Sequence, residues 1–141
     1  PGREQEPIFL VIRDGRHARD ESQEGLHLGL QVHRRQKVAP RKGAARDVKV
    51  SVLADGKDLG FRLHAREDPD GLWWSDNALD DYDGLERLDR LLQARKVVLR
   101  FVDGQRVVEV PVSPRARTAM RHVRDAYRAM SALKWLEIRG P

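Results

Sequence analysis

Residues 96–112 read KVVLRFVDGQRVVEVPV. Two apolar runs flank Asp103-Gly104. A tight hairpin turn needs positive φ, which these two residue types tolerate, so the stretch predicts a β-hairpin. Ser113 is a good N-cap and Pro114 suits the first position of a helix, so a helix should follow directly. At about 100° per residue, Ala116, Met120, Val123, Tyr127 and Met130 fall on one face of it. That seam predicts a C-terminal helix over 114–133 docked on an apolar surface.

Upstream of the hairpin, Leu85, Leu88, Leu91 and Leu92 recur at helical spacing and predict a short helix near 84–94. Asp81 or Asp83 would sit at its positive N-terminal end. Val97, Leu99, Val107 and Val110 are expected to form the surface on which both helices dock.

Ile8 to Arg13 is an apolar run stopped by Asp14-Gly15, hence a strand and a turn. Arg16 to Gly25 is highly charged and reads as a loop. Leu26, Leu28, Leu30 and Val32 alternate with His27, Gly29, Gln31 and His33, the period of a half-buried strand. Arg34 to Arg46 carries no acid and is broken by Pro40 and Gly43, so it reads as a basic loop or linker. Val48, Val50 and Val52 mark another strand. Asp55-Gly56 is a turn, Leu59 to His64 the expected returning strand, and Asp68 to Gly71 a turn into Leu72-Trp73-Trp74.

Strands joined by tight turns are antiparallel. The chain is therefore expected to be α+β: an antiparallel β-sheet or a sandwich of hairpins, with two helices. Residues 8–135 should form a single domain, with 1–7 a disordered lead-in and 136–141 a tail. The chain starts at Pro1-Gly2-Arg3, which reads as a fragment or a processed product.

The 141 residues suffice to bury a core without disulfides or metal. There are no cysteines, which excludes disulfides, thiolate metal sites and a cysteine nucleophile. No apolar run is long enough to be a membrane span. With 27 basic and 22 acidic residues the net charge is +5. So mild an excess leaves the distribution of charge to decide what it does.

That distribution is uneven. Arg34, Arg35, Lys37, Arg41, Lys42 and Arg46 crowd the linker. Arg117, Arg121, Arg124 and Arg128 form a stripe on the last helix, about 120° from its apolar seam. Together they are a candidate surface for phosphate or another polyanion; the stripe alone also fits a solvated helix face. The acids concentrate in 67–89, where nine stand against one basic residue, Arg87. Asp76, Asp80, Asp81 and Asp83 are candidates for capping a helix or for meeting a basic partner. Segregated acid and base could also serve self-association. An EF-hand is ruled out: with Gly84 at the sixth position, Leu79 would be first and Arg90 twelfth, where carboxylates are required.

His27 and His33 share one face of a strand but lie about 20 Å apart, too far to share a metal. No paired motif adds His17, His64 or His122 to either, so the histidines read as structural. No GxSxG, Walker loop or dinucleotide fingerprint occurs, so neither catalytic residues nor a cofactor are expected. Asp20 to Gly25 fits the D-x-S-x-x-G element of PilZ domains, which bind cyclic di-GMP. The R-x-x-x-R element those domains carry well upstream is missing, since Arg13, Arg16 and Arg19 are close by and spaced by three. Trp73 and Trp74, being adjacent, must point to opposite faces of a strand. One is expected in the core; the other is either exposed for binding or, as the burial of large aromatics favours, covered by the 79–94 segment.

From Trp74 onward the order of features resembles small bacterial cell-envelope proteins of the invasion-associated locus B type and the related accessory proteins of type VI secretion. Trp74-Ser75, Leu88 to Leu92, the hairpin over Val97 to Val112, and Ala119 to Tyr127 carry the resemblance. The chain departs from it in lacking cysteine and in having Ser113-Pro114-Arg115 where such proteins start the last helix with Gly and an apolar residue. The resemblance implies a β-sandwich with a C-terminal helix, exported to the periplasm or cell envelope and non-enzymatic. The expected function is thus a non-catalytic binding or accessory domain acting through protein contacts. The alternative is binding of nucleic acid or another anionic ligand through the basic linker and the Arg stripe.

Overall fold

The computed structural model describes residues 6–14, 25–35, 42–69, 71–77, 79 and 81–139. Eight strands and two helices follow one another: β1 (Ile8–Asp14), β2 (Leu26–Arg35), β3 (Val48–Ala54), β4 (Lys57–Asp58), β5 (His64–Asp68), β6 (Gly71–Asp76), α1 (Tyr82–Gln93), β7 (Val97–Asp103), β8 (Arg106–Pro111) and α2 (Pro114–Arg139). They form two antiparallel four-stranded sheets, ordered β1-β2-β6-β5 and β4-β3-β7-β8. The α+β class expected from the sequence is the one observed.

The two sheets share one core. Ile8, Leu10, Leu28, Leu30, Val32, Leu72 and Trp74 of the first sheet join Val48, Val52, Val97, Leu99 and Phe101 of the second in a single buried cluster. Alternation places them there: Val32 faces Ile8 and Trp74 across the ladder, and Leu99 faces Val52 and Val110. The rings of Trp74 and Phe101, 5.6 Å apart, bridge the sheets.

The 96–112 hairpin forms as expected, but its turn is one residue on. Asp103 pairs with Arg106, so Gly104 and Gln105 are the two loop residues, and only Gly104 has positive φ (61°). A glycine at the first central position is the type II′ requirement. At the other end, Val112 N–H donates to Val97 O at 2.8 Å. Hydrogen-bonding positions alternate along an antiparallel pair, so the nitrogen of Pro111 points to the free edge of the sheet. Proline has no N–H to offer there, which blunts that edge.

Several expectations are corrected. Val107 does not join the docking surface; it is 55% exposed, while Val97 and Leu99 are buried. Val107 and Val110 differ by three, so strand alternation puts them on opposite faces. Val97, Leu99 and Val110 do share the core cluster with Leu88, Leu91, Ala116 and Met120 of the helices, while the backbone of α2 lies nearest β1 and that of α1 nearest β3 and α2. Leu59 to His64 is not a returning strand. β4 ends at Asp58, and 59–63 cross to the other sheet. There Gly60 has a φ of 76°, and its N–H and that of Arg62 go to the carboxylates of Asp58 and Asp76 (2.9 and 3.1 Å) rather than to a ladder. Arg34 and Arg35 belong to β2, not to a linker. The last helix runs to Arg139, six residues past its expected end. Its seam is buried at Ala116, Met120 and Tyr127, but Met130 is exposed. None of the described helices is long and apolar enough to cross a membrane.

Two local devices hold the segments around α1. Asp81 caps α1, accepting from Gly84 N–H at 2.6 Å. A Cβ on Gly84 would lie 2.7 Å from the Leu79 backbone, which folds back there and donates to Leu28 O at 3.0 Å. Helix propensity alone favours alanine over glycine by about 1 kcal/mol. Here backbone blocks the methyl and reverses the sign. Gly84→Ala is expected to destabilise by about 1–3 kcal/mol; an unchanged or raised urea midpoint would contradict the close approach.

Asp55 is the second device. It sits with Gly56 in the two-residue loop between β3 and β4, both at positive φ (50° and 85°). Its carboxylate accepts from Lys96 N–H (2.9 Å) and Arg95 N–H (3.2 Å), and its own N–H donates to Lys96 O (2.8 Å). One hairpin is thereby tied to the α1–β7 turn. These backbone donors, Lys96 first, hold the Asp55 carboxyl below its usual pKa. A lowered folded-state pKa means stability that is full above the unfolded-state pKa and fades as pH falls through the folded one. Asp55→Asn should flatten the acid side of the stability–pH profile below about pH 4. Identical acid limbs for the two proteins in urea titrations would refute the assignment.

Candidate functional site: the basic end of the sandwich

The two basic surfaces found in the sequence have different fates. The Arg stripe of α2 is engaged within the molecule. Arg117 donates to the carbonyls of Leu92 (3.1 Å), Arg95 (3.2 Å) and Ala94, and Arg121 to Leu92 (2.6 Å). These are the last carbonyls of α1 and the turn after it, which lack partners within the helix and carry its negative end. Arg124 and Arg128 both reach Asp89 on α1, at 3.2 and 3.1 Å. The stripe is therefore a clamp between α1 and α2, and the basic face meets the chain's own acidic segment.

The acidic candidates are placed as follows. Asp76 is buried at the end of β6 and accepts from Arg62 N–H. Asp81 is the α1 cap, and Asp83 lies exposed in the first turn of α1. Asp80 lies outside the described residues, as do Lys37, Arg41, His17 and Asp20 to Glu24 of the PilZ-like element.

The remaining basic residues gather at one end of the sandwich. The centre is the turn over residues 43–48, built from three successive hydrogen bonds: Arg46 N–H to Gly43 O, Asp47 N–H to Ala44 O and Val48 N–H to Ala45 O (3.1, 3.3 and 3.4 Å). Ala45 fastens it to the body. Its N–H donates to Glu67 Oε1 on β5 (3.0 Å), and its carbonyl accepts from the Trp74 indole N–H (3.2 Å). Ala45 itself is buried. A turn on the edge of a basic stretch is thus tied to the ring that bridges the two sheets. Pre-organised backbone of this kind lowers the entropic cost of binding.

Lys42 and Arg46 flank the turn, exposed and with no ion pair to any described residue. Arg66 stands beside them on β5, 3.3 Å from Asp68. Lys42, Gly43, Ala45, Arg46, Arg66 and Glu67 line an open hollow of about 430 Å³. In its lining three cations, Lys42, Arg46 and Arg66, stand against the carboxylate of Glu67, with Arg66 paired to Asp68. On the other side of the turn, Arg34 holds its guanidinium over the Phe101 ring at 5.4 Å. Arg35 is exposed at the end of β2.

The Trp pair is corrected here. Both rings are buried, Trp74 inward and Trp73 outward. Trp73 is covered by Phe9 (6.1 Å, edge-on), His33 (4.1 Å, stacked) and Arg66 (5.4 Å above the ring), not by the 79–94 segment. The cover comes from neighbouring strands of the same sheet, because His33 and Arg66 are the cross-strand partners of Trp73. His27 and His64 sit on that same outer face by register. No group of three or more potential metal ligands occurs among the described residues.

Sequence reasoning missed Arg66 and the pinning role of Trp74. Arg66 lies twenty positions after Arg46, beside Glu67 and Asp68 rather than in a basic run, and only the β5–β6 pairing brings it to the turn. The indole hydrogen bond spans 29 residues. Comparison with protein-family models, with curated proteins and with solved structures finds no match.

Proposed function

We propose that this chain is a non-catalytic binding domain acting through protein contacts, and that it docks an acidic segment of its partner at the basic end of the sandwich. The observation that carries this reading is the turn over 43–48. It is fixed by Glu67 and Trp74 and displays Lys42 and Arg46 without ion-pair partners among the described residues. The resemblance to invasion-associated locus B proteins and type VI secretion accessory proteins supports an accessory role at the bacterial cell envelope. A precursor of this chain with an export signal or lipid anchor would agree with that role; one that starts as an ordinary cytosolic protein would contradict it.

The nucleic-acid alternative drew on two basic surfaces, and one of them is spent on clamping α1. It becomes an outcome of the same test. A labelled peptide rich in Asp and Glu and a labelled mixed-sequence DNA are titrated with the protein by fluorescence anisotropy at low salt. The peptide is expected to bind, and Lys42→Glu with Arg46→Glu to weaken it at least about tenfold, since both charges are reversed at exposed positions. No binding of the peptide, or binding indifferent to the reversal, overturns the proposal. Tighter binding of DNA, falling steeply with salt as counterions are released, replaces it with the alternative.

A further inference from the structure

The edges of the two sheets are not alike. α2 lies along β1, β4 is two residues long, and the free edge of β8 is blunted by Pro111. The edge at β5 has none of these devices, and it forms one wall of the hollow beside the 43–48 turn. Ala65, Arg66 and Glu67 line that wall, opposite Lys42, Ala45 and Arg46. Hydrogen-bonding direction alternates along an antiparallel strand, so the ladder fixes which groups of β5 face outward. His33 N–H donates to Pro7 O (2.9 Å), so the odd positions of β2 face β1, while Leu30, Val32 and Arg34 face β6. Their partners Asp76, Trp74 and Leu72 face back, which turns Gly71, Trp73 and Ser75 toward β5. Asp68, Arg66 and His64 meet these, and the N–H and C=O of Ala65 and Glu67 point out of the sheet. Neither residue has a backbone partner on that side among the described residues.

We propose that this edge receives an extended acidic segment of a protein partner as an added antiparallel strand of the first sheet. The inference rests on the docking of an acidic segment proposed above and names how that segment is held. Ala65 and Glu67 each offer a donor and an acceptor, and main-chain hydrogen bonds of this kind supply the affinity in strand addition. Side chains supply the specificity. Ala65 and Glu67 share a face with their turn: Ala65 pairs with Trp74, and both Trp74 and Glu67 bond to Ala45. A partner residue opposite Ala65 therefore points toward Lys42 and Arg46, which are exposed with no ion pair to a described residue. Its neighbour, opposite Arg66, points to the other face. A carboxylate directly opposite Glu67 would be repelled. On antiparallel pairing the edge thus selects two adjacent acids preceded by a neutral residue. A second copy of this chain fits badly, because Lys42 and Arg46 of the two copies would face one another.

The probe is a labelled octapeptide of threonine and valine around a central Glu-Glu pair, added to the full chain at low salt. Amide exchange is expected to be fast at Ala65 and Glu67 in the free protein and to slow at least about tenfold with saturating peptide, while Arg66 stays protected throughout. Two further peptides carry methyl groups on alternate backbone nitrogens, one on the odd and one on the even positions. One of them loses the donors that face β5, and by anisotropy it should bind at least about tenfold more weakly than the other. Ala65→Pro removes an outward donor and spares the β5–β6 ladder, since proline is tolerated where an edge N–H faces solvent. It should weaken the unmodified peptide about fivefold or more.

A peptide that binds through Lys42 and Arg46 while Ala65 and Glu67 still exchange freely overturns strand addition and leaves the docking of an acidic segment standing. Equal binding of the two methylated peptides, or unchanged affinity in Ala65→Pro, does the same. No binding of the unmodified peptide overturns both. Protection of Ala65 and Glu67 that needs no peptide and grows with protein concentration gives the edge to a second copy and overturns the proposal.

Discussion

Replacing Trp74 with alanine is expected to cost about 3–5 kcal/mol of stability, the range for removing a large ring from a packed core. The ring is 2% exposed, lies 5.6 Å from Phe101, and belongs to the cluster that joins the two sheets. Its removal opens a void between layers that cannot collapse without moving both sheets. It also leaves the Ala45 carbonyl without its indole donor, 3.2 Å away in the intact protein. Trp74→Phe separates the two losses. It keeps most of the apolar contact and deletes the hydrogen bond, so about 1–2 kcal/mol is expected. The turn over 43–48 should then loosen, with faster amide exchange at Ala45 to Val48 than in the rest of β3. Urea unfolding gives the first quantity and hydrogen exchange the second. A Trp74→Phe protein with a fully protected turn would show that Glu67 alone holds it.

The second large effect is expected at the clamp between the helices. Arg117 and Arg121 together serve the carbonyls of Leu92, Ala94 and Arg95. Hydrogen bonds from a charged group contribute about 1.5–3 kcal/mol each when the acceptor is otherwise unsatisfied. Both arginines are only half-buried, so water recovers part of the loss. Converting both to methionine, which keeps the apolar stem, should cost about 2–4 kcal/mol. Asp89→Asn at the outer pairs should cost about 1 kcal/mol or less, because Asp89 is 33% and Arg128 52% exposed and asparagine can still accept from both arginines. The ordering is the test, read from unfolding midpoints of the two variants. If Asp89→Asn proves as damaging as the double arginine variant, the clamp works through its outer ion pairs and not through the helix end. Charge reversal at Arg121 and Arg124 should also damage the fold, because it sets one carboxylate against the negative end of α1 and another against Asp89. Those two positions therefore do not make a neutral probe of nucleic-acid binding.

Strong local signals explain what was legible in the sequence. The 96–112 hairpin, the Ser113-Pro114 helix start and the leucine spacing of α1 each follow from chemistry within a few residues. Ser113 Oγ accepts from Ala116 N–H at 3.0 Å, as an N-cap should. The alternation of Leu28, Leu30 and Val32 marked the inner face of β2. Registers and crossings were less visible. Leu59 to His64 has strand-like alternation, and the Leu59 N–H still donates to Val52 O, yet the Gly60 and Arg62 donors that follow are taken by Asp58 and Asp76, the second of them fourteen residues from Arg62. The basic stretch from Arg34 read as a linker because charge hides a strand end; Arg34 and Arg35 complete the β2–β6 ladder opposite Leu72 and Gly71.

The candidate site was half legible for a related reason. Composition located Lys42 and Arg46, and helical arithmetic located the Arg stripe. Arithmetic on one helix finds which residues share a face, but not what another helix presents to that face. The partner was the C-terminal end of α1, whose attraction for cations resides in backbone carbonyls and leaves no trace in residue types.

The order of strands has a consequence for how the chain acquires its shape. All four strands of the first sheet lie before residue 77, so that sheet can pair while the rest is still being synthesised. Its inner face, with Leu28, Leu30, Leu72 and Trp74, then has no cover. β3 must wait for β7, which follows it by 43 residues, and the edge at β1 must wait for α2. Long-range closures of this kind are slow, and an uncovered apolar face is prone to aggregate while they complete. A truncation before α1 should therefore yield paired strands that associate with one another, and chaperone dependence should fall once β7 and α2 have emerged.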